Sequence, residues 1–265
     1  MIMDRLVPRV WPHAWPIMYQ TWGKLLFLHW RVPESVLRAH VPSALPIDTF
    51  DGSAWIGVTP FTMWNVRPAF VPPIPLASSS HELNVRTYVT LDGQPGVWFF
   101  SLDANSALAV WGAWLAFSLP YHRARMHLEE AGGAIHFRSQ RSEPGSRQAL
   151  LEIQWSRGER LPLSSVGSLE FFLMERYCLY TQNAGRLYRC RIQHRPWPLC
   201  RARLDRLHST MIEANGIAAP DGEPLVHAQA EAIQVGVHPL EEIGGATDLG
   251  PPRLGAWSRR WNRIG

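Results

Sequence analysis

The chain has 265 residues, 46% of them hydrophobic and 18% charged, with Lys+Arg 26 against Asp+Glu 22 and a net charge of +4. Such a composition forms a core and excludes an intrinsically disordered chain, and the charge surplus is small for a nucleic-acid-binding role. The longest apolar run, residues 107–119, falls short of the roughly 20 residues of a membrane span, and no apolar stretch follows Arg5 and Arg9 as in a signal peptide. A cytoplasmic protein without a membrane partner is expected.

Residues 1–16 read as an extended Trp/Pro-rich arm, 17–240 as one domain and 241–265 as a loose tail rich in Gly, Pro and Arg. Within the domain, 24–30 (KLLFLHW) reads as a strand, and Pro33-Glu34 opens a short helix over 35–40. Residues 54–63 form a second strand, and a loop follows with four prolines between 68 and 75. Residues 82–91 and 96–102 flank Asp92-Gly93, a hairpin signal. The run 107–119 reads as a buried helix that Pro120 ends. Strands follow at 134–141 and 149–156, then a helix over 168–181 with Ser168 as N-cap. Residues 187–193 and 199–204 are expected to pair around Pro196-Trp197-Pro198, and 231–238 supplies a last strand. The pattern predicts an α+β fold, mainly antiparallel β, with a few packed helices.

Lysine occurs once, at Lys24, so imine chemistry on a lysine would have to use it. Thirteen tryptophans favour a large aromatic core or an aromatic-lined cavity, and composition does not choose between them. Cys178, Cys190 and Cys200 lack the spacing of paired zinc ligands, so neither a metal site nor a cofactor is expected. No G-x-S-x-G, P-loop, dinucleotide fingerprint or H-E-x-x-H occurs. Seven arginines lie between Arg186 and Arg206, and alternation puts Arg189 and Arg191 opposite Cys190, and Arg201 and Arg203 opposite Cys200 and Ala202. That is a solvated face and not a nucleic-acid footprint.

Glu82, Asn84, Arg86 and Tyr88 share one face at period two, opposite Leu83, Val85 and Val89. Either the polar face is exposed, or it lines a ligand cavity that supplies partners for each group. Tyr121 and His122 follow Pro120, where a helix C-terminus would favour a charged imidazole.

The succession TWGKLLFLHWRVP (21–33), LRAHVPSALPIDTFDGSAWIGVTPF (37–61), ELNVRTYV (82–89), GVWFFSLDA (96–104), LPYHRARM (119–126), FFLMERYCLY (171–180) and HRPWPL (194–199) resembles the YqjF-like proteins. That family is similar in fold to acetoacetate decarboxylase, which implies an antiparallel β-cone or barrel around a closed, largely apolar pocket. The resemblance puts Glu82 where the decarboxylases place an active-site glutamate. It aligns Tyr121 and His122 with their lysine pair and Trp114 with an arginine. A phenol cannot form an imine, so the resemblance implies the fold without the Schiff-base reaction.

The reading is a barrel cavity that binds a small acidic or carbonyl compound. Arg86, Asn84 and Trp114 would hold the ligand, while His122, Tyr121 and Glu82 serve as acid/base groups, with Glu82 approaching His122. The alternative is a non-catalytic sensor or a structural component of a homo-oligomer.

Overall fold

The computed structural model describes residues 15–72, 80–106, 119–143 and 145–244. The chain runs β1 (Met18–Gly23), β2 (Leu25–Val32), α1 (Glu34–Arg38), β3 (Ala54–Pro68), β4 (Ser80–Leu91), β5 (Gln94–Ala104), β6 (Tyr121–Ala131), β7 (Ala134–Arg141), β8 (Leu150–Arg160), α2 (Leu169–Met174), β9 (Cys178–Asn183), β10 (Arg186–Gln193), β11 (Leu199–Ser209), β12 (Val226–Ala230) and β13 (Ile233–Gly244).

Among the described residues these strands form one sheet of order β1-β13-β10-β9-β5-β4-β3-β2-β12-β11-β8-β7-β6. Two further pairings, β1 with β3 and β5 with β6, close it into two ring-like circuits that share β3, β4 and β5 as a wall. Closure pairs strands that would otherwise be edges. The pairing is antiparallel except where β6 and β9 meet β5 in parallel.

The two faces of the shared wall serve different cores. Leu83, Val85 and Val89 of β4 join Leu26 and Leu28 of β2 and Ile56 and Val58 of β3 in the core of the larger circuit. Phe137, Leu151, Ile153 and Trp155 complete that core from β7 and β8, and Leu37 of α1 packs against it. The opposite face sends Phe27, Trp55, Phe61 and Tyr88 against Phe172, Leu173 and Trp197. Burial on both sides explains why β2 and the first half of β3 read as near-continuous apolar runs.

Local chemistry accounts for most elements. Asp92 and Gly93 take φ of 50° and 75°, the left-handed pair of a two-residue hairpin, and Gly132-Gly133 do the same between β6 and β7. Ser168 accepts a hydrogen bond from the Phe171 amide and caps α2 as expected.

Four expectations need correction. The helix foreseen over 168–181 ends at Met174, because Glu175 leaves helical geometry (φ −87°, ψ 70°) to receive hydrogen bonds from the Tyr177 hydroxyl and the Trp197 amide. From Cys178 the chain is strand and joins β5. Second, β10 and β11 do not pair. The Trp197 side chain is buried and its indole donates to the Met174 carbonyl, so the corner sends β10 to β9 and β13, and β11 to β8 and β12. Third, β6 and β12 escaped notice, since β6 is polar and mostly exposed and β12 is short. Fourth, β13 runs to Gly244, with Glu241 and Glu242 paired to Arg189 and Arg186. The helix expected over 107–119 lies outside the described residues up to 118, and Trp114 with it.

Candidate ligand-binding site

The polar face of β4 is enclosed and not solvent-facing. Glu82, Asn84 and Tyr88 are buried and Arg86 is half-buried. Register with β3 sets Phe61 beside Glu82, Thr59 beside Asn84 and Gly57 beside Arg86. Gly57 is the opening that Arg86 needs. A Cβ there would lie 3.1 Å from His29 Cδ2, a tight contact, and 3.5 Å from Arg86 Cγ, so glycine leaves room where both side chains cross β3. The Arg86 guanidinium sits 5.4 Å from the Phe27 ring and 5.9 Å from the Tyr88 ring, cation–π contacts on both sides. Its Nη2 reaches the Leu173 carbonyl of α2 only weakly, at 3.5 Å.

Beside it, His29 Nε2 and the Tyr88 hydroxyl share a hydrogen bond of 2.7 Å. Burial, reinforced by the Arg86 charge, holds the His29 imidazole well below its usual range and therefore neutral near pH 7. Arg86 has no carboxylate partner among the described residues. Within this one region His29 Nδ1, Thr59 Oγ1, Asn84 Oδ1 and Arg86 Nε are buried without a hydrogen-bond partner among them. Orphaned polar atoms so close together cost stability in a closed core unless a ligand or water satisfies them.

Tyr121 and His122 open β6, which lies parallel to β5 with Leu102 beside Tyr121 and Asp103 beside His122. Consecutive strand residues point to opposite faces, and the pair divides accordingly. Tyr121 donates its hydroxyl proton to Glu82 Oε2 at 2.8 Å. His122 turns to the other face, where Nδ1 lies 2.6 Å from Glu143 Oε2. The expected approach of Glu82 to His122 is thus corrected: the imidazole's partner is Glu143, a residue that sequence reasoning did not single out. Next to it Arg141 grips Asp103 bidentately, Nε and Nη2 donating at 2.9 and 2.7 Å.

Glu82 is the electrostatic centre of the enclosed face. Burial pushes its carboxyl up to about 7; the Tyr121 hydrogen bond pulls it down, and the Asp103 charge raises it again. Tyr121 is held well above the usual phenol range by burial and by Glu82. Access differs between the faces of the wall. Arg86, Tyr121, Phe99 and Leu179 on the smaller circuit's side are only half-buried, whereas Leu83 and Val85 behind them are fully buried.

Lys24 stands apart from this face. It occupies the turn between β1 and β2 with φ of 49°, and its ammonium pairs with Glu130 at the surface. Cys178 and Cys190 are poor nucleophiles: burial pushes Cys178 up to about 11 and Cys190 to about 12. Among the described residues no three His, Cys, Asp or Glu side chains gather to hold a metal, and no helix is long and apolar enough to cross a membrane. His29, Gly57 and Thr59 complete the face, and sequence reasoning passed them over. A lone polar histidine inside the apolar run KLLFLHW was the one available clue.

Comparison with known proteins fits this picture. The curated protein YqjF of Bacillus subtilis (strain 168), described as uncharacterized, is 44% identical over 211 residues, 80% of this chain and 86% of its own. The enduracididine biosynthesis enzyme MppR complexed with pyruvate superposes with a TM-score of 0.62 at 13% identity, over 88% of this chain and 92% of that one. Acetoacetate decarboxylase from Legionella pneumophila gives 0.60 at 11% identity, over 91% and 96%. An acetoacetate decarboxylase-like enzyme from Sphingomonas wittichii RW1 gives 0.58 at 12%, over 87% and 94%. These three likenesses establish an acetoacetate-decarboxylase-like fold. Residues 19–232 match the model of the DUF2071 family, described as an uncharacterized conserved protein, and the chain belongs to that family.

Proposed function

We propose that the smaller circuit binds a small molecule carrying a carboxylate and a carbonyl group, and that it does so without Schiff-base chemistry. One observation carries this reading. Arg86 lies within a group of orphaned polar atoms, beside a neutral imidazole and with no carboxylate among the described residues to neutralise it. A guanidinium in that setting suits a carboxylate, which it can grip through two parallel hydrogen bonds. Asn84 and Thr59 supply further polar contacts along the wall, and Glu82 with Tyr121 closes the row as an acid/base pair. That MppR is complexed with pyruvate supports an oxo acid as the ligand class. The surface position of Lys24, its salt bridge to Glu130 and the phenol at Tyr121 support the absence of imine formation.

The test is calorimetric titration of the wild-type protein with pyruvate, 4-oxopentanoate and acetone, repeated with Arg86→Ala. The keto acids should bind, acetone should not, and Arg86→Ala should weaken keto-acid binding by about tenfold or more, since a hydrogen bond to a charged group is worth about 1.5–3 kcal/mol. Equal affinity for acid and ketone, or affinity indifferent to Arg86, overturns the reading. Borohydride added to the acetoacetate complex should leave no adduct; a stable adduct at Lys24 would refute the exclusion of imine chemistry.

A further inference from the structure

We infer that this site catalyses proton exchange at the carbon next to the ketone of a bound oxo acid, with Glu82 as the base and Thr59 as the donor to the enolate oxygen. The inference rests on the carboxylate-binding reading of Arg86 and adds a reaction to it.

Three features of the geometry support it. Thr59 and Asn84 lie side by side in register between Glu82 and Arg86, and their Oγ1 and Oδ1 atoms are buried without partners. A hydroxyl in that position donates to an oxygen that gains charge, and the Asn84 carboxamide can turn to present its Nδ2 to the same oxygen. Glu82 commits one oxygen to Tyr121 and keeps Oε1 for the substrate. Glu82 and Arg86 are four residues apart on one strand, about 13 Å along the backbone, which favours a ketone several carbons from the carboxylate over one directly beside it.

The step balances without a co-reactant. The C–H bond breaks and its proton passes to Glu82 Oε1. The electron pair forms the C=C bond, and the carbonyl π pair moves to the oxygen held by Thr59. Return of a solvent-exchanged proton from Glu82 to carbon regenerates the ketone, so in D2O the net change is replacement of hydrogen by deuterium.

The groups around Glu82 set its pH dependence. From β6 it meets Tyr121, from β5 the charge of Asp103, and from β3 the non-titrating Phe61; on β4 itself Arg86 is the charged group of the same face, while His81 turns away to Thr62. A base pushed up to about 7 is half-ionised near neutrality, which is where proton transfer to and from carbon is best balanced.

The experiment follows deuterium incorporation by proton NMR in D2O, using pyruvate, 4-oxopentanoate and 5-oxohexanoate with the full chain. Exchange should exceed the buffer rate, most for the two longer acids, and should rise with pH to a plateau with an inflection near 7. Glu82→Gln should lower it by about 100-fold or more, as expected for loss of a general base, while keto-acid binding by calorimetry persists. Tyr121→Phe removes a hydrogen bond that stabilises the carboxylate, so its inflection should move to higher pH. Lys24→Ala should exchange like wild type. Binding without exchange refutes this inference and leaves the binding reading standing; failure of keto-acid binding refutes both. Exchange that survives Glu82→Gln, or is lost in a folded Lys24→Ala, also overturns it.

Discussion

Glu82→Gln should stabilise the protein, and by an amount that depends on pH. The Glu82 carboxyl ordinarily titrates at 4.5 and is pushed to about 7 when buried in the folded chain. Between those two values the folded state keeps a proton that the unfolded state has lost, so stability falls as pH rises through the window. At 1.36 kcal/mol per pH unit, the ionised carboxyl costs the folded protein about 3 kcal/mol once pH exceeds 7. Glutamine keeps the shape and can still accept the Tyr121 hydrogen bond, but carries no charge to bury. The two proteins should therefore be nearly equal in stability at pH 4.5 and differ by about 3 kcal/mol in favour of Gln at pH 8. For a domain of this size that is a rise in Tm of about 6–12 °C at the higher pH. Urea unfolding of both proteins at several pH values measures the difference directly, and taking the difference cancels His29 and every other group common to both. A difference that stays flat with pH, or favours Glu at pH 8, would mean that Glu82 is solvated and that the face is not enclosed.

Three further outcomes are expected. Arg141→Leu should cost about 3–5 kcal/mol, because it leaves the fully buried Asp103 carboxylate unpaired, and adding Asp103→Leu should recover most of that loss; a denaturant double-mutant cycle reads both. Gly57→Ala should cost about 1–3 kcal/mol and weaken oxo-acid binding, since its Cβ presses on the His29 ring beside Arg86; thermal unfolding with and without ligand separates the two effects. Ser168→Ala should cost about 1 kcal/mol by removing the cap of α2, with the loss read as a shift in the urea midpoint.

The sequence made the shared wall legible. Asp92-Gly93 marked its hairpin, and period-two alternation placed Glu82, Asn84, Arg86 and Tyr88 together. It did not reveal that both faces are buried, since an apolar face opposite a polar one is also what an exposed strand shows; only closure of the second circuit by β1, β13, β10 and β9 covers it. The failures share a cause. The stretch 168–181 is apolar at most positions, and a run of that kind suits a buried helix or a buried strand equally until Glu175 is seen to leave the helix for Tyr177 and Trp197. The expected approach of His122 to Glu82 came from the resemblance, which sets Glu82 at an active-site glutamate and Tyr121-His122 at a lysine pair. That pairing assumed a helix C-terminus at Pro120. Once Tyr121 begins a strand, alternation alone sends His122 to the opposite face and Tyr121 to Glu82. The partner Glu143 lies beyond the β6–β7 hairpin, a tertiary contact that no local pattern signals.

The residue at position 121 decides what Glu82 can do. A lysine there would meet the Glu82 carboxyl as an ammonium, and the opposite charge would favour ionisation of the carboxyl and hold it below 7. Glu82 would then be a counter-ion, and the amine, once deprotonated, the reactive group. Tyrosine gives one neutral donor instead. Its hydrogen bond lowers the carboxyl only in part against burial and the Asp103 charge, and the phenol itself is held well above its usual range, so it does not ionise near neutral pH. The titrating group of the face is then the carboxylate and not an amine. Behind the wall, Asp103 is fixed by Arg141, so its charge cannot swing away from Glu82. The face is arranged around a carboxyl pushed up to about 7, which gains and loses a proton near neutral pH. That is why the chemistry proposed for this chain is a proton transfer, and why its cost should appear as the pH-dependent instability that Glu82→Gln removes.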